Sequence, residues 1–366
     1  MKAFYKYIVL IACVGFLTAC GRSVEQQVLS DTGQNAILPL HETFLAESLS
    51  LSQATTEYCG LTERGEQALA ALRGRWVGAM NAWEGIQSFQ FGPVTEDNQA
   101  WKVQFWPDRK NLISRKTEQF VQRNSAITLG ALQNASVVVQ GLSAIEYLLY
   151  DTPATALSAT DAKGGDRYCQ HLQAAAQNLH HVADFLYSSW HPDSGNYLKT
   201  WAKPDPDNLD YPDEQASIAA LIETLVYGLE RIKRDKLERP LALLDQGQAN
   251  TYLLEWWRSK QSREAILINL HSLQLLFNAG GGEGLAALLE HHKGQALADN
   301  INTLFDRAVG VTASIEGSLF DNYSDGDTQL AIIQLHGLLG ELLGALKREV
   351  PAKLNISLGF NANDGD

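Results

Sequence analysis

Apolar residues recur at intervals of three and four along most of the chain. In "TERGEQALAALRGRWVGAMNAWEGIQSF", Leu69, Leu72, Trp76, Met80 and Trp83 fall on one helical stripe, and Thr62 stands where it could cap the helix. "LHETFLAESLSLSQATTEYCG" has the same spacing and stops at Gly60. Further helices are expected over roughly residues 110–122, 125–150, 166–190, 213–236, 262–278, 283–293, 295–319 and 327–348. Residues 92–109, with "FGPV" and "FWPD", read as irregular. No alternating pattern of useful length occurs, so the predicted class is all-α. Long helices with short joins favour antiparallel bundles.

Two stretches break the helical pattern. Residues 1–19 carry Lys2 and Lys6, then "YIVLIACVGF", and run into "LTAC", the order of a secretory signal. The apolar run ends too early to span a bilayer. Leu-Thr-Ala-Cys resembles a lipobox, which would make Cys20 the acylated first residue of the mature chain; a plain signal peptide is the alternative. Gly21 after the cysteine points to the outer membrane. The expected location is therefore the periplasmic face of the cell envelope, held to the membrane through lipid at Cys20. The second stretch, residues 192–212, "PDSGNYLKTWAKPDPDNLDYP", is rich in Pro, Asp, Asn and Gly and reads as a linker. It divides the mature chain into 20–191 and 213–366, two similar halves. "GLSAIEYLLY" and "NLHSLQLLFN" align across them, pairing Ser143 with His271 and Glu146 with Gln274. Duplication and the chance likeness of two amphipathic helices both explain that echo.

Charge narrows the function classes. A formal net charge of −13, without a basic cluster, argues against nucleic acid, which is bound by Lys and Arg neutralising phosphates. Acidity suits cations in general and identifies none. With Cys20 assigned to lipid, Cys59 and Cys169 remain in an oxidising compartment, where one disulfide would close a long loop if geometry allows.

Candidate chemistry is sparse. There is no His-Glu-x-x-His helix. "NAGGGEG" lacks the Lys and Ser/Thr of a phosphate loop and reads as a helix terminator. His180 or His181 with Asp184 could share a metal, although such pairs are more often solvated surface. "EHHKG", 290–294, suits a helix C-terminus, where imidazoles meet the negative end of the dipole. Asp364 and Asp366 in the closing "GFNANDGD" resemble only a fragment of a calcium loop. In "GLSAIEYLLYD", helical spacing places Ser143, Glu146, Tyr147 and Tyr150 on one stripe beside an apolar face of Leu142, Ile145 and Leu149. A carboxylate there has either a partner or a function.

Several of these segments together resemble the imelysin-like proteins. "AWEGIQSFQFGPV", "FWPD", "GLSAIEYLLYD", "LVYGLERIKRDKLERPLAL" and "SLGFNANDGD" are similar to segments of that family in the same order. The resemblance implies two four-helix-bundle-like domains with a functional cleft between them, in secreted or lipid-anchored bacterial proteins. It also implies links to metallopeptidase activity and to iron uptake. The family's signature helix reads Gly-x-His-x-x-Glu, with His and Glu as metal ligands. Here Gly141 and Glu146 match, and Ser143 replaces the His. A hydroxyl cannot replace an imidazole for iron, copper or zinc.

The expected function is accessory to iron or metal acquisition, through a metal, a metal complex or a partner among other iron-uptake proteins. Iron or another divalent metal is the implied cofactor. Glu146 is its expected ligand, Ser143 and Tyr147 would shape the cleft, and His271 is a candidate replacement imidazole. A metallopeptidase and a metal-free binding module are the alternatives.

Overall fold

The computed structural model describes residues 22–123, 126–151, 157, 165–244 and 247–359. Ten principal helices carry the fold: α1 Val24–Thr32, α2 Leu38–Gly60, α3 Glu66–Ile86, α4 Leu112–Arg123, α5 Gly141–Glu146, α6 Gly165–Trp190, α7 Glu214–Glu230, α8 Ser262–Phe277, α9 Gln295–Ser314 and α10 Gly326–Gly344. No strand occurs among the described residues, so the all-α class holds. The stripe Leu69, Leu72, Trp76, Met80 and Trp83 is buried throughout, as its spacing requires.

In the first half α2 packs between α3 and α6, and α5 lies on α6. In the second, α9 packs on α10 and α8, while α7 meets α8 and α10. The halves join where α3 packs against α8. The α1 helix crosses the divide: it packs on α7, and Gln26 Nε2 donates to Glu214 Oε1 at 2.8 Å. Buried apolar residues accordingly form one connected cluster through both halves.

Several local expectations are corrected. The α3 helix begins at Glu66 after Gly65, so Thr62 is not its cap. The helix expected over 125–150 is broken. A short helix, Leu129–Gln133, ends where Gln140 Nε2 donates to the carbonyls of Leu132 and Ala135, taking up acceptors the helix leaves free. The chain then turns at Gly141, whose φ is +63°, and starts again as α5. Residues 192–212 are no free tether. They contain the helix Tyr197–Ala202, whose Trp201 is fully buried, donates to Ser217 O at 3.0 Å and lies 5.5 Å from the ring of Phe91. An aromatic side chain of that size drives burial more strongly than the surrounding Pro, Asp and Asn drive exposure.

Cys59 and Cys169 are bonded to each other, with Cα atoms 5.6 Å apart, and tie α2 to α6. "NAGGGEG" ends α8 and turns through Gly280 and Gly281 at positive φ. His291 and His292 close the helix Leu285–His291, as the dipole argument anticipates. Residues 1–21, with Cys20, and residues 360–366, with Asp364 and Asp366, lie outside the described residues.

Candidate functional site

The signature helix is held from beneath by α3. Trp76 Nε1 donates to Leu142 O at 3.1 Å, and Arg73 Nε to Leu149 O at 2.9 Å. A Cβ on Gly141 would lie 2.2 Å from Val103 O and 2.3 Å from Lys102 O. Only glycine therefore admits both the close approach and the positive φ at this point.

The predicted polar stripe does not form a cleft wall. Ser143 Oγ accepts from Phe105 N at 3.2 Å and serves to hold that loop. Tyr147 OH donates to Glu118 Oε1 at 2.8 Å. Glu146 is buried, and its Oε1 accepts from both Ser259 N, at 3.0 Å, and Ser259 Oγ, at 2.7 Å. Burial pushes its carboxyl up to about 7, against the opposing pull of Arg258 and the two Ser259 bonds. His271 lies elsewhere: it is exposed and lines a separate, largely apolar groove with Leu40, Thr43 and Gly78. His180 Nδ1 meets Ser48 Oγ at 3.3 Å.

A bare transition metal does not fit the signature helix. The ligating imidazole is a serine engaged with backbone, and both hydrogen bonds to the Glu146 Oε1 atom come from one serine. Among the described residues no three His, Cys, Asp or Glu side chains group as metal ligands.

Glu146 instead helps to fasten a loop, Glu255 to Lys260, that sequence reasoning passed over. Two segments of π-helix hold that loop. Tyr147–Asp151 continues α5, and Arg231–Glu238 continues α7. In an α-helix residues five apart point about 140° away from each other. The wider π-helix, bonded from i to i+5, brings them onto one side. Glu146 and Asp151 thereby both reach the loop, Asp151 Oδ2 standing 3.1 Å from Arg258 Nε. Arg231 and Lys236 likewise both reach Glu255.

Around Glu255 lies a buried ionic cluster. Lys236 Nζ contacts Glu84 Oε2 at 2.8 Å, Glu255 Oε2 at 2.5 Å and Asn269 Oδ1, which uses all three of its hydrogens. Trp256 Nε1 donates to Glu84 Oε1 at 2.7 Å, and Asn269 Nδ2 to Glu84 Oε2 at 3.0 Å. Burial and then the Glu255 charge raise the Glu84 carboxyl, with Lys236 opposing. Burial also works to raise Glu255, but Lys236 and Arg231 together outweigh it and hold that carboxyl below its ordinary value. Residues of α3, the π segment after α7, the loop and α8 meet here, at the seam of the halves.

Gln87 and Arg231 border the cluster on one side. Gln87 Nε2 has three acceptors within reach: Gln104 Oε1 at 2.6 Å, Glu255 Oε1 at 2.8 Å and Glu84 Oε1 at 3.2 Å. Those contacts fix the amide orientation and turn Gln87 Oε1 away from the cluster. That oxygen is buried and has no hydrogen-bond partner among the described residues, and neither does Arg231 Nε. Both side chains line a pocket of about 240 Å³ whose other walls include Trp83, Trp101, Trp106 and Tyr227. Arg231 stacks on Trp106 at 5.2 Å.

Glu84, Gln87, Gln104, Lys236 and Glu255 were absent from the sequence-based site. The available signals were a glutamate next to the apolar stripe in "AWEG" and another beside paired tryptophans in "LEWWRSK". Lys236, in a run of alternating charges, gave none.

Comparison with known proteins comes out consistently. The family model described as Imelysin matches residues 37–343. The chain is 21% identical over 355 residues to "Iron-regulated protein A" of Synechococcus elongatus (strain ATCC 33912 / PCC 7942 / FACHB-805), covering 93% of this chain and 91% of that one. The crystal structure of an imelysin-like protein from Psychrobacter arcticum 273-4 superposes with a TM-score of 0.76 at 20% identity, covering 92% of this chain and 97% of that chain.

Proposed function

The chain belongs to the imelysin family, and from that premise we propose that it is a periplasm-facing, lipid-anchored accessory protein of iron acquisition that works by binding a ligand at the seam between its halves. The observation that carries this reading is the pocket walled by Trp83, Trp101 and Trp106 and by the polar side chains of Gln87, Gln104 and Arg231, which reach Glu255 of the buried ionic cluster behind it. Concave sites with apolar walls and a few fixed polar groups are where small ligands bind. The iron context is supported by the iron-regulated relative, and the anchor by the "LTAC" sequence at Cys20.

Binding is favoured over metal-dependent hydrolysis by the donor set at the signature helix. A metallopeptidase needs protein ligands that leave a water on the metal, and a base beside it. Ser143 and Glu146 are both committed to holding loops.

Accumulation of radioactive iron by iron-starved source cells tests the role. Deleting the gene is expected to lower accumulation. Wild-type protein should restore it and Cys20→Ser protein should not. Unchanged accumulation in the deletion strain would end the iron reading.

A further inference from the structure

We infer that two copies of this chain pair through the outer face of α10, antiparallel and about a two-fold axis at Gly337. The inference is independent of the seam pocket and of the iron role. Three observations carry it.

The first is an apolar face that the fold leaves uncovered. Leu330 is 66% exposed and Ile333 63%, one turn apart on a helix whose other side is buried as Ile332, Leu335, Leu339 and Leu342. Leu244, 68% exposed, stands with Ile333 on a groove of about 400 Å³ beside the helix. Scattered exposed leucines are ordinary, whereas large apolar side chains that adjoin mark an interface.

The second is shape. Gly337, Gly340 and Gly344 continue the line of Leu330 and Ile333 at alternating steps of three and four. A Cβ at Gly337 would meet nothing within 4 Å, and one at Gly340 only Lys233 Cε at 3.9 Å. The chain's own packing therefore calls for neither glycine. Glycine weakens a helix relative to alanine, and its use is to let another chain come close. Bulk at one end of the line and hollows at the other make it complementary to its own reverse. A second α10, turned end for end about Gly337, lays Leu330 and Ile333 of each copy over Gly344 and Gly340 of the other. That is the self-complementary contact a two-fold axis requires.

The third is charge. At its N-terminal end the face carries Asp327, beside the capping Asp325 and with Glu316 near. At the other end, in the π-helical turn Ala345–Glu349, it carries Arg348. Lys347 is paired with Glu230, and Glu349 lies about a quarter-turn round from Arg348. Neither Asp327 nor Arg348 has an ion-pair partner among the described residues. A parallel pair would set each of these charges against its own copy. The antiparallel pair sets Asp327 against Arg348 at both ends and brings the Gln334 amide to Glu341. The two Glu341 residues then stand about 12 Å apart along the helix, beyond a screening length of roughly 8 Å. Screening also blunts the mutual repulsion of two chains of net charge −13. Exposed ion pairs of this kind fix orientation more than strength.

Crosslinking in cells that make the full-length protein tests the pairing. The reagent is a membrane-permeant bis-maleimide whose reach matches the roughly 8–10 Å between packed helix axes. Gly337→Cys is expected to give a product of twice the monomer mass. Wild type sets the background from its own cysteines, of which Cys59 and Cys169 are bonded to each other. Gly310→Cys, exposed on α9 where a Cβ likewise meets nothing within 4 Å, should stay at that background. Adding Ile333→Asp to the Gly337→Cys chain should lower the product at least about tenfold, since a charge would then be buried in the contact. Asp327→Arg or Arg348→Asp should each lower it about threefold, and the two together should restore it. Asp327, Ile333 and Arg348 are all exposed, so these proteins should melt like wild type.

A Gly337→Cys chain that crosslinks no more than Gly310→Cys would overturn the inference. So would a crosslink that survives Ile333→Asp, or a product whose mass is not twice that of the monomer. A double charge exchange no better than either single one would remove the antiparallel contact and the stated pairing with it.

Discussion

Glu146 and Glu255 are both buried glutamates at the same loop, yet their surroundings differ in kind. The hydrogen bonds to Glu146 come from one residue, Ser259, within the fold, and its nearest opposite charge, Arg258, is spread over Asp151, Asn111 and the Trp257 face. Glu255 is gripped by Lys236, Gln87 and Gln104, and three of the side chains that contact it, Gln87, Gln104 and Arg231, also line a pocket. The motif residue thus closes a structure, while the residue outside any motif borders a site. A retained signature position is not evidence of a retained activity, because one carboxylate serves equally as metal ligand or as loop fastener. Its partners decide which.

Substitutions can break or sharpen this contrast. The largest effect is expected at Lys236. Lys236→Met removes the cation shared by Glu84 and Glu255 and leaves two buried carboxylates facing each other. Removing one partner of a buried ion pair costs about 3–5 kcal/mol, to be read from denaturant unfolding. A loss below about 1 kcal/mol would mean that the cluster is far wetter than its burial implies.

Next comes the turn into the signature helix. Gly141→Ala combines a disfavoured positive φ with a Cβ driven against the Val103 and Lys102 carbonyls, and should cost about 3–4 kcal/mol. Retention of wild-type stability would show that this close approach does not hold α5 in place.

Glu146→Gln has an effect whose size depends on pH. The folded carboxyl titrates near 7 and the unfolded one near its ordinary value of 4.5. Between those values the folded chain keeps a proton that the unfolded chain has lost. The contribution of Glu146 is therefore fully present below about 4.5 and is lost as pH rises through 7. The loss amounts to roughly 3 kcal/mol at most. Glutamine mimics the protonated form and keeps an oxygen for Ser259, so the variant should gain on wild type as pH is raised from 5 to 8. Stability curves that stay parallel over that range would show that Glu146 stays charged, as a ligand or tightly paired group would.

Helix locations were legible because burial of one face imposes a period that survives in a single sequence. Leu69 to Trp83 is an instance, and the all-α class follows from many such stretches. The cysteine pair was legible only as a possibility. Helix interruptions were harder to see, since Gln140 and Gly141 act through contacts with carbonyls on other segments. The site was harder still. Its members come from positions 84 to 269, and two of them, Arg231 and Lys236, share a target only because a π-helical turn abolishes the 3.6-residue spacing used to read helix faces.

Composition, periodicity and the family segments, all local properties of the chain, determined the class, most helix positions and the signature helix with its missing imidazole. Tertiary structure decided what Glu146 does, which polar groups are buried together and where two of them remain unpaired. Those facts depend on which donors and acceptors, distant in the chain, are brought within about 3 Å of each other, and no local pattern encodes that distance.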